Sequence, residues 1–222
     1  MTVAATNRMR SDDTGPRRAR HDYPPTAQKI LTTAQRILAK KGYSSLTMQA
    51  IEKESGVNRS LVHYYFGNKA GLVEALVDTL FEDPSFGYSD GVLQVPAGEE
   101  RAQALIEWLH GITTATPNSA RLLYELLPQI LRSKKLRERL AELYAAYREF
   151  DGDCLGSGAP ELDPATLASL GALSVAIVEG LLIQTTLDSR GFSSEGAFSL
   201  WQDIITQYLR STQSRDVEKE RS

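Results

Sequence analysis

The stretch GVNRSLVHYYFGNKAGL, Gly56 to Leu72, decides how the rest of the sequence is interpreted. Asn58 is a favoured helix N-cap and Gly67 a favoured C-terminal stop, so their spacing predicts a helix of about eight residues. Within it Val62 and Phe66 lie four residues apart and predict the inward face. An arginine, a histidine and tyrosines remain for the outward face, where large flat side chains are unusual unless a partner covers them.

The residues just before this helix complete a helix-turn-helix motif. Thr47 predicts the N-cap of another short helix, whose Ala50 and Ile51 face inward, and Gly56 supplies the left-handed turn between the two helices. Such a motif places its second helix in the major groove of DNA. The sequence therefore predicts that DNA covers the outward face.

The outward side chains suit DNA in different ways. Arg59 has the planar fork to read guanine or to grip a phosphate, and Leu61 can contact a thymine methyl group. The ring N–H of His63 and the hydroxyl of Tyr64 can donate to phosphate oxygens. Tyr65 lies at the edge of this face, so a role in the protein core stays open for it.

Charge is distributed unevenly along the chain. Residues 1–80 hold twelve Lys and Arg against seven Asp and Glu, a net +5, whereas residues 81–222 hold thirteen against twenty-one, a net −8. A basic N-terminal third favours nucleic acid as its partner, although a merely solvated basic surface gives the same count. Lys69, beside the free N–H groups of the next helix, is a further candidate phosphate anchor. Residues 1–25 predict a disordered basic arm, whose contact with DNA stays open.

Helical periodicity extends over most of the chain. Apolar residues recur at three- and four-residue spacing and no strand-like alternation is sustained, which predicts an all-α protein of about nine helices. We predict a helix-turn-helix DNA-binding domain at 26–80 and a helical ligand-binding and dimerisation domain at 81–222. A loop or linker is predicted at 85–98, and the Gly-rich run DGDCLGSGAPELD, residues 151–163, predicts a break.

Other classes of protein are disfavoured. Cys154 is the one cysteine and can form no internal disulfide, and His21, His63 and His110 are too far apart for a local metal site, so we predict neither metal nor cofactor. The sequence has no phosphate-binding glycine loop and no nucleophile elbow, which disfavours an enzyme. It has no signal peptide and no uninterrupted apolar run of membrane-spanning length, so we expect a cytoplasmic protein without a membrane partner.

The last two predicted helices favour a homodimer. Thr166–Ser189 is apolar on nearly all sides and contains small residues such as Gly171 and Ala176 that permit close helix approach, while Glu179 near its middle argues against a membrane span. The next helix, Ser194–Ser211, carries one apolar side with Ala197, Leu200, Trp201, Ile204 and Tyr208. Two such helices from each subunit can form a four-helix bundle across a two-fold axis.

A mostly apolar pocket with a few polar groups is typical of small-molecule sites, and the middle of the chain offers residues for one. The candidates are Trp108, Tyr124, Glu125, Gln129, Tyr144 and Tyr147. Each of them can equally be an ordinary core or surface residue. The sequence does not indicate which ligand they would bind.

The segment from Ile30 to Leu76 resembles the DNA-binding domain of the TetR family of transcriptional regulators, through its apolar first helix, Gly-Tyr, capping Thr, Gly-Val turn and Tyr-Tyr-Phe ending. The resemblance implies a homodimer that represses from a palindromic double-stranded DNA operator and is released by a small molecule. It implies DNA contacts at Thr47, Asn58, Arg59, Ser60, Leu61, His63, Tyr64, Tyr65 and Lys69. Gly71 replaces the family's frequent acidic residue and is expected to weaken its helix. An activator, or a regulator without a ligand, stays open.

Overall fold

The computed structural model describes residues 23–81, 90–115, 117–159 and 161–219. This part of the chain contains ten α-helices, one 3-10 helix and no strand, which confirms the all-α prediction. The helices are α1 (Pro25–Lys41), the 3-10 helix (Tyr43–Ser45), α2 (Met48–Ser55), α3 (Arg59–Phe66), α4 (Lys69–Phe81), α5 (Asp90–Gln94), α6 (Glu99–Ala115), α7 (Pro117–Arg132), α8 (Lys134–Gly156), α9 (Pro164–Leu187) and α10 (Glu195–Lys219). Residues 1–22 of the predicted basic arm lie outside the described residues.

Two elements differ from the predicted layout. The predicted loop at 85–98 contains α5, which adds a tenth helix and buries Val92 in the C-terminal core. α8 continues through the first residues of the predicted Gly-rich break and ends at Gly156. Asp151, Cys154 and their neighbours are buried there, so packing outweighs the low helix propensity of the glycines.

The helix-turn-helix motif forms with the predicted caps. Thr47 caps α2 by accepting a hydrogen bond from the Ala50 N–H at 3.0 Å, and Asn58 caps α3 by accepting one from the Ser60 N–H at 2.9 Å. Gly56 ends α2 in the left-handed conformation, at φ +69°. Each side-chain cap stabilises its helix by about 1 kcal/mol, which matters for helices of only eight residues.

The core of the DNA-binding helices extends into the rest of the chain. Val62 and Phe66 are buried among apolar residues of α1, α2 and α4, as predicted. The same cluster includes Leu122, Leu126 and Ile130 of α7. The predicted boundary after residue 80 therefore does not interrupt the packing, because α7 completes the core beneath the DNA-binding helices.

α8 and α9 cross closely at two glycines. A Cβ atom on Gly171 would overlap the backbone carbonyl of Arg148, and one on Gly152 would lie 2.5 Å from the carbonyl oxygen of Leu167. Gly171 is buried inside the subunit, so the expectation that it lies at a dimer interface is wrong. The small residue serves close packing of α9 on α8.

α10 has apolar residues on two sides. Phe198 and Trp201 point into the C-terminal core, where their rings pack edge to face with centroids 5.1 Å apart. The prediction that Trp201 shares a side with Leu200 and Ile204 is therefore wrong, because those two residues are exposed. One side of α10 builds the subunit, and the other is left uncovered.

α9 has the length and the composition of a membrane-spanning helix, with a mean hydropathy of 2.0 over its most apolar window. Core helices of water-soluble proteins reach the same values, so one such helix is weak evidence for a membrane. α9 also contains Glu179, whose carboxylate accepts a hydrogen bond from the Tyr144 hydroxyl of α8 at 2.7 Å. These contacts assign α9 to the packed helical core.

Candidate DNA-binding face and effector cluster

The outward side of α3 forms the candidate DNA-binding face, which consists of Arg59, Ser60, Leu61, His63 and Tyr64. All five side chains are exposed, with 79% of Tyr64 and 43% of Leu61 accessible to solvent. The opposite side of α3 is anchored in the core, so the helix presents this face rigidly. A rigid short helix with an exposed tyrosine, leucine and arginine is suited to entry into a major groove.

The hydrogen bonds at the start of α3 determine which donors and acceptors remain available for a DNA partner. The Ser60 hydroxyl donates to Asn58 Oδ1 at 2.8 Å, and that oxygen also accepts the Ser60 N–H. Ser60 therefore presents only acceptor lone pairs, whereas the Asn58 amide still has N–H groups to donate. The Arg59 N–H donates to Glu52 Oε1 at 3.0 Å, a contact that the sequence interpretation missed.

His63 and Tyr64 are exposed, whereas Tyr65 is half-buried. The Nδ1 of His63 lies 2.7 Å from the carbonyl oxygen of Gly67, and because a carbonyl only accepts, Nδ1 carries the proton. The other ring nitrogen remains for a partner outside. Tyr65 is half-buried against the N-terminal core and packs edge to face on Tyr64, with ring centroids 5.2 Å apart. It therefore supports the exposed tyrosine.

Lys69 makes contacts inside the protein. Its Nζ donates to the carbonyl oxygen of Tyr43 at 2.9 Å and lies 3.8 Å from the centroid of the Tyr43 ring. Burial lowers the pKa of this ammonium group. An ammonium has three N–H donors, so two remain for a phosphate. Thr47 likewise accepts through its cap and keeps its own O–H to donate.

Glu125 contacts the DNA-binding helices rather than the other ligand candidates. Its Oε2 accepts a hydrogen bond from the backbone N–H of Tyr43 at 3.2 Å. Since the carbonyl of Tyr43 accepts the Lys69 ammonium, residue 43 links α7 to the start of α4. Glu125, predicted to bind ligand, thus has its carboxylate at this junction.

Tyr124, Tyr144, Tyr147 and Glu179 form what we call the effector cluster. The Tyr144 hydroxyl donates to Glu179 Oε1 at 2.7 Å, and the rings of Tyr144 and Tyr147 pack edge to face with centroids 6.1 Å apart. Burial, followed by the nearby Glu179 charge, raises the pKa of Tyr124 to about 12, so the two groups interact. The structure therefore brings three of the six predicted ligand residues together.

Two further ligand candidates lie outside the cluster. Trp108 packs edge to face on Phe150 in the C-terminal core, with ring centroids 6.4 Å apart. Gln129 is half-buried one turn after Glu125 on α7. Glu179 was not among the predicted ligand residues, although a carboxylate in the middle of an apolar helix is a signal that it has a polar partner.

A small cavity adjoins the effector cluster. It has a volume of about 10 Å³, enough for one water at most, and is bounded by Leu80 of α4, Leu123 of α7, Tyr144, Tyr147 and Glu179, among others. Leu140 and Tyr144 also line an open groove of about 480 Å³ on the surface between α7 and α8. These two side chains therefore separate the cavity from the groove.

Two ion pairs join α8 to α4. Arg139 pairs with Asp78, and the Nζ of Lys135 lies 2.6 Å from Glu74 Oε2. The first pair is largely withdrawn from solvent, so displacing α8 without α4 would leave a charge poorly compensated. The helix that carries Tyr144 and Tyr147 is thus tied to the helix that follows α3.

The outer side of α9 and α10 is an uncovered apolar surface. The exposed large residues are Leu173, Ile183 and Leu187 of α9 and Leu200, Ile204 and Tyr208 of α10. Leu200, Ile204 and Tyr208 are spaced four apart and form a stripe along α10. Exposed apolar stripes of this kind are typical of interaction sites.

Two other kinds of site, a metal centre and a reactive cysteine, were considered for the described residues. Within the described residues, no group of three or more His, Cys, Asp or Glu side chains could hold a metal ion. Burial raises the pKa of the Cys154 thiol to about 11, so little of the nucleophilic thiolate forms near neutral pH.

Two family models match successive parts of the chain. Residues 30–76 match the model of bacterial regulatory proteins of the tetR family, and residues 98–211 match the C-terminal model of the BetI-type transcriptional repressor. The chain is 26% identical to the HTH-type transcriptional regulator BetI of Rhizobium meliloti (strain 1021), over 85% of this chain and 91% of that protein.

Solved structures share the fold. A transcriptional regulator of Saccharomonospora viridis in complex with choline is 22% identical, with a TM-score of 0.66 over 81% of this chain and 95% of that one. A regulator of Pseudomonas aeruginosa PAO1 is 16% identical, with a TM-score of 0.69 over 85% of this chain and 92% of that one. The relatives are transcriptional regulators rather than enzymes, as expected. The chain therefore belongs to the TetR family and is a DNA-binding transcriptional regulator.

Proposed function

We propose that this regulator is a repressor that binds a palindromic operator as a homodimer and leaves the DNA when a small molecule binds its C-terminal helices. The observation that carries the DNA-binding part is the exposed face of α3, which is anchored by Val62 and Phe66 and presents Arg59, Leu61 and Tyr64 outward. Thr47 precedes α2 and Lys69 begins α4, and the donors that each keeps would hold phosphates.

The uncovered face of α9 and α10 supports the homodimer. Its leucines and isoleucines would pair with the same face of a second copy as a four-helix bundle, within the predicted segments Thr166–Ser189 and Ser194–Ser211. The exposed small residues Ala172 and Ala176 would let the two α9 helices approach. Two α3 helices related by a two-fold axis would then meet two half-sites of one operator.

The contacts between the two parts of the chain support release by a ligand. Displacement of α8 would reach α4 through the Arg139–Asp78 and Lys135–Glu74 pairs. Displacement of α7 would reach α4 through Glu125, Tyr43 and Lys69. Either movement would shift α4 and, through the turn that precedes it, α3.

The similar proteins support two parts of this proposal, repression and the binding of a small molecule. The model that matches residues 98–211 describes a repressor, and the Saccharomonospora viridis neighbour holds choline, so a protein of this fold can bind a small organic molecule. We place the protein in the cytoplasm, where operator DNA and metabolites are both accessible.

Selection of bound sequences from a random DNA library tests the proposal. We expect a motif of two symmetric half-sites, and we expect transcription from a promoter that carries it to fall when the protein is added. Leu61→Ala with Tyr64→Ala should abolish the selection. A single unrepeated motif would contradict the dimer, and increased transcription would identify an activator.

The interface is tested by Ala176→Arg, which would bury an unpaired charge between the subunits and cost several kcal/mol. Sedimentation should show monomers, and operator affinity should fall by orders of magnitude because the two half-sites no longer act together. Ala145→Arg, at an exposed alanine of α8, is the matched control. A folded Ala176→Arg dimer with normal operator binding would place the interface elsewhere.

A further inference from the structure

We propose that His63 determines operator specificity by accepting a hydrogen bond at Nε2 from an amino group on a base edge, the N6 amino group of adenine or the N4 amino group of cytosine. His63 can do so only where α3 lies in a major groove, so this inference rests on the proposed function. It differs from the expectation drawn from the sequence, in which a ring N–H of His63 donates to a phosphate. That N–H is used inside the protein.

The end of α3 sets the tautomer of His63. Nδ1 lies 2.7 Å from the carbonyl oxygen of Gly67, the residue at which α3 is capped. A carbonyl oxygen only accepts, so Nδ1 donates its proton there and Nε2 of the neutral ring keeps a lone pair. A phosphate oxygen also only accepts, so it cannot form a hydrogen bond with that nitrogen. The outward partner of the neutral ring must therefore be a donor.

The major groove offers such donors on two of the four bases. Adenine presents its N6 amino group and cytosine its N4 amino group, whereas guanine presents acceptors and thymine an acceptor and a methyl group. Each base pair carries one of these amino groups, on one strand only. An acceptor at the position of His63 therefore favours adenine or cytosine over guanine or thymine on one strand of the half-site.

Ser60 presents a second acceptor on the same face. Its hydroxyl donates to Asn58 Oδ1 at 2.8 Å, and that oxygen is held in place because it also accepts the Ser60 N–H at 2.9 Å. Residues three apart are neighbours on the surface of a helix, and both Ser60 and His63 are exposed. Two neighbouring acceptors suit the amino groups of bases and do not suit phosphate oxygens.

The carboxylate of Glu52 disfavours a phosphate at the start of α3. Its Oε1 accepts the backbone N–H of Arg59 at 3.0 Å, so a negative group already occupies one of the N–H groups with which a helix start can bind phosphate. A phosphate that approached the same N–H would be repelled. Bases are therefore the favoured partners of this part of α3, which includes Ser60.

Removal of single amino groups from the operator tests the inference. The half-site is first identified by selection from a random library. Each adenine is then replaced in turn by purine, which lacks the 6-amino group, and each cytosine by pyrimidin-2-one, which lacks the 4-amino group. At one position this change should weaken binding of the full chain by roughly threefold to tenfold, because one hydrogen bond is lost.

His63→Phe keeps a ring but removes the acceptor, so at that same position it should no longer respond to the loss of the amino group. The comparison forms a double-mutant cycle, which cancels the effect of the altered base on the duplex itself. His63 is exposed, so the variant is expected to fold. The matched control His110→Phe makes the same change on α6 and should respond to each altered base as the original chain does.

The salt dependence of binding distinguishes base reading from phosphate contact. We expect His63→Phe to leave the slope of log affinity against log salt concentration unchanged and to lose the preference for adenine or cytosine at one position. If protonated His63 held a phosphate instead, the slope would fall by about one and binding to all sequences would weaken alike, which would overturn the inference.

The remaining outcomes separate the inference from the proposed function. Equal losses on amino-group removal in the original chain and in His63→Phe would overturn the role of His63, even though the protein still binds a symmetric operator and represses from it. Selection that yields no motif at all would contradict the proposed function and the inference with it. A loss confined to one adenine or cytosine and dependent on His63 would support both.

Discussion

Replacement of Gly71 by alanine should destabilise the protein, although helix propensity alone predicts the opposite. Alanine is favoured over glycine inside a helix by about 1 kcal/mol. At Gly71, however, a Cβ atom would overlap the backbone carbonyl oxygen of Phe66, the last residue of α3. A backbone group cannot rotate away as a side chain can, so the turn between α3 and α4 has to shift.

The magnitude follows from these opposing effects. Relief of overlap in a packed region costs typically about 1–3 kcal/mol, and with the propensity gain of about 1 kcal/mol subtracted we expect a net loss of up to roughly 2 kcal/mol. The shift moves the end of α3 relative to α4, so operator affinity should fall as well. Both quantities are measurable on one preparation, by urea unfolding and by an operator shift assay.

Gly111 provides the matched control. It lies inside α6, is exposed, and has no atom within 4 Å of an added Cβ. Gly111→Ala should therefore stabilise the protein by roughly 0.5–1 kcal/mol and leave operator binding unchanged. If Gly71→Ala is as stabilising as Gly111→Ala, the close approach to the Phe66 carbonyl does not constrain this turn and the reasoning fails.

Three further predictions concern single side chains. Lys69→Ala should reduce the slope of log affinity against log salt concentration by about one and should weaken binding to all sequences alike. An unchanged slope would show that Lys69 contacts Tyr43 and no phosphate. Glu125→Gln should leave effector affinity unchanged but reduce the effector's influence on operator affinity, which paired titrations with and without effector would measure. Burial raises the pKa of Asp151 to about 7, so the folded state keeps a proton that the unfolded chain loses near pH 4, and the free energy of unfolding falls as pH rises between these values. Asp151→Asn should remove that loss and stabilise the protein above pH 7 by up to roughly 4 kcal/mol, with no gain near pH 4; equal gains at both pH values in urea unfolding would refute this.

The helix-turn-helix motif could be predicted from the sequence because its determinants are local. The caps at Thr47 and Asn58 and the turn at Gly56 depend on residues within four positions, and the inward direction of Val62 and Phe66 follows from helical spacing. The structure confirms each of these. The contacts that these groups make with DNA remain predictions.

The effector region could not be predicted to the same degree because its contacts join distant helices. Glu125 and Tyr124 are adjacent in sequence, yet one contacts Tyr43 and the other lies near Glu179. Helical periodicity assigns a residue to a side of its helix but does not say which helix that side faces. For the same reason, the sequence predicts Gly171 at the dimer interface, whereas it packs against α8 inside the subunit.

The contribution of α7 to the N-terminal core has a consequence for protein engineering. A hybrid regulator can be made by joining the DNA-binding helices of one protein to the sensing helices of another, and a cut after residue 80 follows the domain boundary predicted from the sequence. Such a hybrid would lose Leu122, Leu126 and Ile130 from beneath α1 and α4 and would receive foreign side chains in their place. A functional exchange must transfer this buried side of α7 together with the DNA-binding helices.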